Sequence, residues 1–472
     1  MFSQPPLAFP ALSSTRAQPV VVDFSGGHLS SDGGLLLLAA LDREVGLTEA
    51  VAGALTDTRA PDLVTHSLLD LVRQRVYQLA SGYEDANDAH TLRRDPLFKI
   101  ATGRAPVSER DLASQPTLSR LENAVSRRDL LRLSLALLDF FVRQHQGERV
   151  VRLVLDLDAT EDPTHGQQEF NFYNHHYRSH CYLPLLAYAT LTVADAEGGR
   201  QELPEQELLG ALLRRVDRDG AFRTTAVLRR LVPVLRAAWP EVEIILRADS
   251  GFCRPDVLTW CEQHGVGYLL GFAKNVALVR RTEPWLADAR QAFAAQPAPT
   301  PGVSRPAVQV LGEFLYQTQS WEHERLVTCK AEVMAQGDNP RWLVSGRLPV
   351  ELQNPAARQQ FYRARGDREN RIKELKNDLR ADKTSCHRFA ANQFRLLLTA
   401  VAYVLWQTLR KRLAGTEGAR AQVGSLQLKL LKVAVRVHET QRRIYLQLAS
   451  GYPWQALWVT CATRVGGALH RT

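Results

Sequence analysis

The sequence predicts an α/β protein with a mostly helical N-terminal region and a basic C-terminal one, and three observations carry that expectation. Apolar residues recur at helical spacing through roughly the first 145 residues. Beyond Glu148, segments of period two and short apolar runs alternate with helical segments, the pattern of strands and helices layered on one sheet. The charge is also uneven. Residues 401–472 carry eleven Lys or Arg against Glu417 and Glu439, and residues 351–400 carry eleven against six acids, whereas residues 1–350 hold 37 basic and 42 acidic residues within a net charge of +9. Basic residues gathered in one region suit a polyanion such as nucleic acid, although a charge run is also what a solvated face looks like.

A chain of 472 residues exceeds the roughly 250–300 at which one hydrophobic core stops growing, so several domains are expected. Its 45% hydrophobic content and mean hydropathy of −0.22 argue against a membrane protein. The longest apolar run, Leu396 to Trp406, is shorter than the ~20 residues of a spanning helix and reads as a core helix. The opening MFSQPPLAFPALSS has no basic n-region, which leads to the expectation of a cytoplasmic protein. Six cysteines with no CxxC pair suggest neither a disulfide framework nor a zinc site.

Taken in order, about the first 20 residues, rich in Pro, Ser and Ala, read as an arm. VVVDFSGGHLSSDGGLLLL gives a short strand, a Ser-Ser-Asp-Gly-Gly turn and a helix from about Leu35. Helical spacing returns in Leu63–Leu79, Pro116–Asn123 and Arg128–Gln144. RVVRLVLDLD then puts Val151, Leu153, Leu155 and Leu157 on one face and Val154, Asp156 and Asp158 on the other, as in a half-buried strand ending in acid. His180–Ala194 reads as β, Glu205–Val216 and Arg223–Ala238 as helix. VEIILRAD is another apolar strand, ending in Asp249, and is followed by a helix at Pro255–His264 and the strand GVGYLLGFA. Ala294–Pro306 is a proline-rich loop. Around it, Val308–Thr318, Arg325–Val333 and Arg341–Leu348 look like β segments. Long helices are expected over Pro355–Leu379, Arg388–Leu413 and Gly424–Ala449.

Asp158 and Asp249 each end an apolar strand, where a carboxylate can project into the crevice at the edge of an α/β sheet. The helix at Tyr362–Lys376 supplies a third acid, Glu369. At about 100° per residue, Tyr362, Arg365 and Lys376 fall within roughly 40° of Glu369 on the helix surface, with Lys373 beside that stripe. Three converging carboxylates suit a two-metal phosphoryl-transfer site, because hard Mg²⁺ takes oxygen ligands and a metal pair can stabilise both the attacking and the leaving oxygen. Arg and Lys on the same stripe could hold phosphates. Each piece alone has a plainer reading, since an Asp at a strand end is often a turn or cap residue and an Arg/Glu-rich helix is often a solvated face.

Together these segments resemble the bacterial insertion-sequence DDE transposases, in particular the group called transposase DDE domain group 1. The spacing Tyr362, Arg365, Glu369, Lys376 fits the Tyr-Arg-Glu-Lys signature of that superfamily. DLDATEDPTHGQQ resembles its first-aspartate segment and LRADSGF its second, while FSGGHLSSDGGLLLL, ASGYEDANDAHTLRRDPLFK and LASQPTLSRLEN resemble its leader region.

The resemblance implies an RNase H-like catalytic core with a β-rich insertion, in which Asp158, Asp249 and Glu369 bind two Mg²⁺ ions, with Mn²⁺ as a substitute. It also implies that Tyr362, Arg365 and Lys376 contact the transposon end. The family form Asp-x-Thr matches Asp158 and Thr160, which leaves Asp156 beside the site as the second candidate. His165, Gln167 and Gln168 follow in a turn that could line the site, or be turn chemistry alone. Trp321 and Trp342 could stack an extruded base or pack a core.

The expected division is an arm at 1–20, a mostly helical DNA-binding domain at 21–147, the first part of the core at 148–275, the insertion at 276–352, the glutamate helix and a packing helix at 353–413, and a basic helical region at 414–472. The expected partners are the terminal inverted repeats and target DNA, bound by a homodimer or larger assembly at the nucleoid and without a membrane. A domesticated DNA-binding protein without catalysis, or an RNase H-like nuclease without strand transfer, would keep the same fold.

Overall fold

The computed structural model describes residues 7–8, 20–297 and 304–468. The side chains of residues 367–369, which lie within a helix, are outside the described residues, as are most of the N-terminal arm and part of the proline-rich loop. The chain divides into two compact units, residues 125–400 and residues 1–124 with 401–472.

Residues 125–400 are built on a mixed sheet. Its main strands are β1 (Val150–Ala159), β2 (Leu185–Ala194), β3 (Glu207–Leu212), β4 (Glu243–Ala248), β5 (Gly267–Phe272), β6 (Val308–Tyr316), β7 (Arg325–Met334) and β8 (Arg341–Gly346), in the order β3-β2-β1-β4-β5-β8-β7-β6. The first three are antiparallel, β4 runs parallel to both β1 and β5, and β8 to β6 continue the sheet antiparallel from β5. One face carries Leu153, Leu155 and Leu157 of β1 with Ile244 and Leu246 of β4, packed with Leu231 and Leu235 of the helix Thr224–Ala238. Each such Leu or Ile contributes about 1.5–3 kcal/mol by leaving water.

Five expectations change. Glu205–Val216 is not a helix. Its apolar run forms β3, which hydrogen-bonds to β2 through a bulge between Leu208 and Gly210. β1 is not half-buried, because Val154 and Asp156 are as enclosed as the leucines. The region 276–352, expected to be β-rich throughout, opens with a 19-residue helix, Val276–Ala294, and its three strands continue the main sheet.

The long helix expected over Pro355–Leu379 breaks at Ala364 and Arg365 into Pro355–Arg363 and Gly366–Lys373, and its last turn, Glu374–Asp378, widens to a π-helix. Gly366, a poor helix former, sits at the break. A constant 100° per residue therefore does not hold across Tyr362–Lys376.

Finally, residues 414–472 are not simply helical. Val435–Glu439 and Ile444–Leu448 form a hairpin that adds His28–Ser30 as a third strand, and with this the region completes a unit with residues 1–124.

That unit explains the Ser-Ser-Asp-Gly-Gly turn. Gly33 and Gly34 donate their N–H groups to the carbonyls of Val433 and Leu431, and a Cβ on Gly34 would lie 1.8 Å from the Leu430 carbonyl oxygen. Only glycine permits that approach. Asp32, 1% exposed, pairs with Lys432 Nζ at 2.6 Å and accepts the Tyr83 hydroxyl at 2.8 Å. The helix Leu68–Ala80 starts with a capping box between Ser67 and Asp70. Phe389–Arg412 is long and apolar enough to cross a membrane, and 89% of its apolar window is buried inside the protein, as in a core helix.

Candidate active site

β1 and β4 are parallel neighbours in a register that sets Arg247 beside Asp156 and Ala248 beside Leu157. Side chains two residues apart share a face, so one face of this strand pair carries two successive rungs. The inner rung is an ion pair. Arg247 Nε and Nη2 each donate to Asp156 at 2.7 Å, and Gln206 Nε2 adds a third bond at 2.7 Å. Both partners are buried. Arg247 also donates to the Phe361 carbonyl and lies over the Phe361 ring, 4.9 Å from its centroid, which ties the helix Pro355–Arg363 to the sheet.

The outer rung, just past the last paired residues Leu157 and Ala248, brings together Asp158 of β1 and Asp249, the residue after β4. Asp158 accepts the Ala159 N–H, and Asp249 caps the turn at Ser250–Phe252 through the Gly251 N–H. Arg365, at the helix break, supplies a cation from above, its Nη2 lying 3.5 Å from Asp158 Oδ2 and 3.4 Å from Asp249 Oδ2. The side chains of Asp158 and Asp249 are 13% and 41% exposed, so solvent and ligands reach this rung and not the one beneath it. Two hard carboxylates converging on one positive group fit a divalent cation. Among the described residues, no three His, Cys, Asp or Glu side chains are grouped to hold a metal. The helix Gly366–Lys373 includes position 369, and the Glu369 side chain lies outside the described residues.

The other expected residues distribute as follows. Tyr362 reaches this edge because Gly271 of β5 leaves room: a Cβ there would lie 2.9 Å from the Tyr362 hydroxyl and 2.8 Å from Ser250 N. Lys376 turns inward and donates to the Glu161 carbonyl at 2.8 Å, bracing the segment that leaves β1, while Lys373 is exposed. Thr160 is half-buried and donates its N–H to the Pro184 carbonyl. His165 is exposed, its N–H held by Gln168 Oε1. Gln168 is buried and donates to the carbonyls of Thr384 and Cys386, so it joins the first-aspartate segment to the chain after the π-turn.

Trp321 and Trp342 are 5% and 3% exposed. Trp321 stacks on Phe272, and Trp342 donates to Thr282 Oγ1 at 2.8 Å. Both therefore pack the core, and base stacking has no open ring face on either.

Two residues had no signal in the sequence. Tyr177, half-buried on the loop after the short strand Phe172–Asn174, has its hydroxyl pushed up above the ordinary tyrosine range first by burial and then by the charges of Asp158 and Asp249, so it stays protonated beside the acids. Asp162 is 1% exposed and accepts the Thr384 hydroxyl at 2.7 Å. Burial pushes its carboxyl up to about 7, with Asp382 adding to the rise and Thr384, Lys376 and Arg395 opposing it. It lines a small cavity with Lys376 and Asp382.

No curated protein matches the chain. The family model that does match is the transposase DDE domain group 1, over residues 12–468. That span takes in both strand-end aspartates, the helix of the Tyr-Arg-Glu-Lys spacing and the Ser-Ser-Asp-Gly-Gly turn, so the chain belongs to the DDE transposase family.

Proposed function

We propose that this protein cuts DNA at the ends of an insertion sequence and joins those ends to a target, with Asp158, Asp249 and Glu369 as its metal-binding acids. The observation that carries the reading is the outer rung, where two carboxylates from parallel neighbouring strands meet at an accessible edge around one positive group. The strand order β3-β2-β1-β4-β5, three antiparallel and two parallel, supports an RNase H-like core.

When bound, Mg²⁺ or Mn²⁺ held by these acids supplies Lewis-acid stabilisation of the attacking and leaving oxygens. The remaining tasks belong to the chain itself. Asp156 and Arg247 lock the strand ends and seat the Phe361 carbonyl, which positions Tyr362. Arg365 holds the two aspartates toward one point, and its charge suits a DNA phosphate as a competing partner. Lys376 fixes the loop leaving Asp158. Tyr177, kept neutral, can donate a hydrogen bond at the site. The reading includes terminal inverted repeats as the bound ends, a homodimer or larger assembly on DNA, and action at the nucleoid. An inactive DNA-binding descendant is disfavoured, because the sequence keeps all three acids.

The test is to incubate purified protein with labelled duplexes carrying the repeats that flank its gene, with Mg²⁺ or with EDTA. Metal-dependent 3′-hydroxyl ends and joined products are expected. Cleavage without joining would favour a nuclease, and binding without cleavage would overturn the enzymatic reading.

A further inference from the structure

The three-stranded sheet of His28–Ser30, Val435–Glu439 and Ile444–Leu448 has two unlike faces. Its inner face buries Val435 and Val437, with Leu446 and Leu448 beside them, on Leu97, Leu36 and Ile100. On the outer face the register sets Leu29, Arg436 and Gln447 in one row and His438 and Tyr445 in the next, and all five are exposed. The rings of His438 and Tyr445 lie 6.3 Å apart. Arg442 and Arg443 stand in the turn, which Thr440 closes through its backbone and hydroxyl.

The charge on this hairpin is one-sided. Residues 433–450 contain a single acid, Glu439, and its carboxylate is turned away to accept the N–H groups of Val107 and Ser108 at 2.7 and 3.1 Å. Among the described residues, no carboxylate pairs with Arg436, Arg442 or Arg443. Phe24, 88% exposed, lies in the segment leading to this sheet, where a Cβ on Gly27 would lie 3.8 Å from Arg436 Nε. Asp23 in the same segment is engaged by the Ser25 N–H and hydroxyl.

We propose that this hairpin is a DNA-docking ribbon, which lays its outer face on duplex DNA and sets the turn arginines on backbone phosphates. The inference rests on the DNA-processing reading above. Three guanidiniums that pair with no carboxylate among the described residues, beside an exposed tyrosine, match a polyanion with stackable edges, and the turn that carries two of them projects beyond the three-stranded sheet's paired residues. A protein partner would gain little from three uncompensated arginines on so small an apolar area.

The experiment compares the full chain with Arg436→Gln/Arg442→Gln/Arg443→Gln and with Arg120→Gln/Arg229→Gln/Arg230→Gln, which removes the same charge from exposed sites elsewhere. Anisotropy titrations of a labelled 30-base-pair duplex at several salt concentrations give affinity and salt slope, with circular dichroism and sedimentation velocity on each variant. Expected for the hairpin variant are at least tenfold weaker binding and a salt slope shallower by about 2, since each phosphate contact contributes about 0.9, with fold and oligomeric state retained. Tyr445→Ala should weaken binding with little change in slope. Equal losses in both triple variants, or a hairpin variant that loses only self-association, would overturn the proposal. Failure of the unmodified chain to bind any duplex would instead sink the DNA-processing reading on which it rests.

Discussion

The inner and outer rungs of β1 and β4 lie on the same face of the same two strands, two residues apart, and differ in one partner. Where Arg247 faces Asp156 the charges cancel, the pair is sealed, and the rung holds the sheet together. Where Asp249 faces Asp158 like charges meet at an accessible edge, and the deficit is met by Arg365 from another element. The contrast teaches that position on a sheet does not decide whether an aspartate is structural or available for chemistry. The sign of its cross-strand neighbour and its access to solvent do.

Four measurements would sharpen or break this comparison. The largest effect is expected at the outer rung: Asp158→Ala or Asp249→Ala should lower metal-dependent cleavage by at least about 1000-fold, roughly 4 kcal/mol of activation free energy, while shifting unfolding by no more than about 1 kcal/mol. Denaturant melts beside single-turnover assays would check both halves, and an equally large stability loss would erase the distinction.

Next comes Asp156→Ala, which strands Arg247 in the interior. It should destabilise the protein by about 3–5 kcal/mol, as removal of one partner of a buried pair does, and a near-normal urea midpoint would count against the inner rung as a structural lock.

Third is the pH response of Asp162. Its folded pKa, about 7, lies above the ordinary value of 3.8, so the folded chain keeps a proton that the unfolded chain loses. Stability is therefore unpenalised below about pH 4, falls as pH rises from about 4 to about 7, and is level above. Asp162→Asn should flatten that fall by about 2 kcal/mol, roughly half of what the full shift would give. Parallel pH-stability curves of the two proteins would sink this assignment.

The smallest effect is expected for Arg365→Gln, which leaves the two outer acids facing each other. Without divalent ions it should cost about 1 kcal/mol, and added Mg²⁺ should restore more stability to the variant than to the parent, since a competitor for the carboxylates is gone. Calorimetric scans with and without Mg²⁺ read this directly, and equal metal responses would mean that Arg365 does not share the acids' site.

The sequence made Asp158 and Asp249 legible because each closes a run of strand-forming residues, a local signal. Arg247 as the partner of Asp156 was not legible, since their pairing depends on a parallel register between strands 91 positions apart. Glu205–Val216 misled because a solid apolar run fits a buried strand as well as a helix. The hairpin at 435–448 was hidden the same way, although the alternation of Val433, Val435 and Val437 around a polar Thr-Gln-Arg-Arg turn was a signal present in the residues. The break at Ala364 had only Gly366 as a hint and the π-turn after Lys373 had none, and they are why Lys376 meets the Glu161 carbonyl instead of sharing a stripe with Arg365. Tyr177 carries no motif at all, and only the folded loop brings it near the acids.

The unit formed by residues 1–124 with 401–472 is interrupted by the whole of the other, and that interruption sets an order of birth. As the chain leaves the ribosome, His28–Ser30 has no strand to pair with, and Gly33 and Gly34 have no carbonyls to meet, until residues 430–437 arrive some 400 residues later. Residues 125–400 emerge complete well before then. A message cut short after the acidic edge has been made would thus yield the part that carries Asp158, Asp249 and Glu369 without a finished companion, leaving Leu97 and its neighbours uncovered for cellular proteases. The split wiring makes completion of the unit of residues 1–124 depend on synthesis of nearly the whole chain.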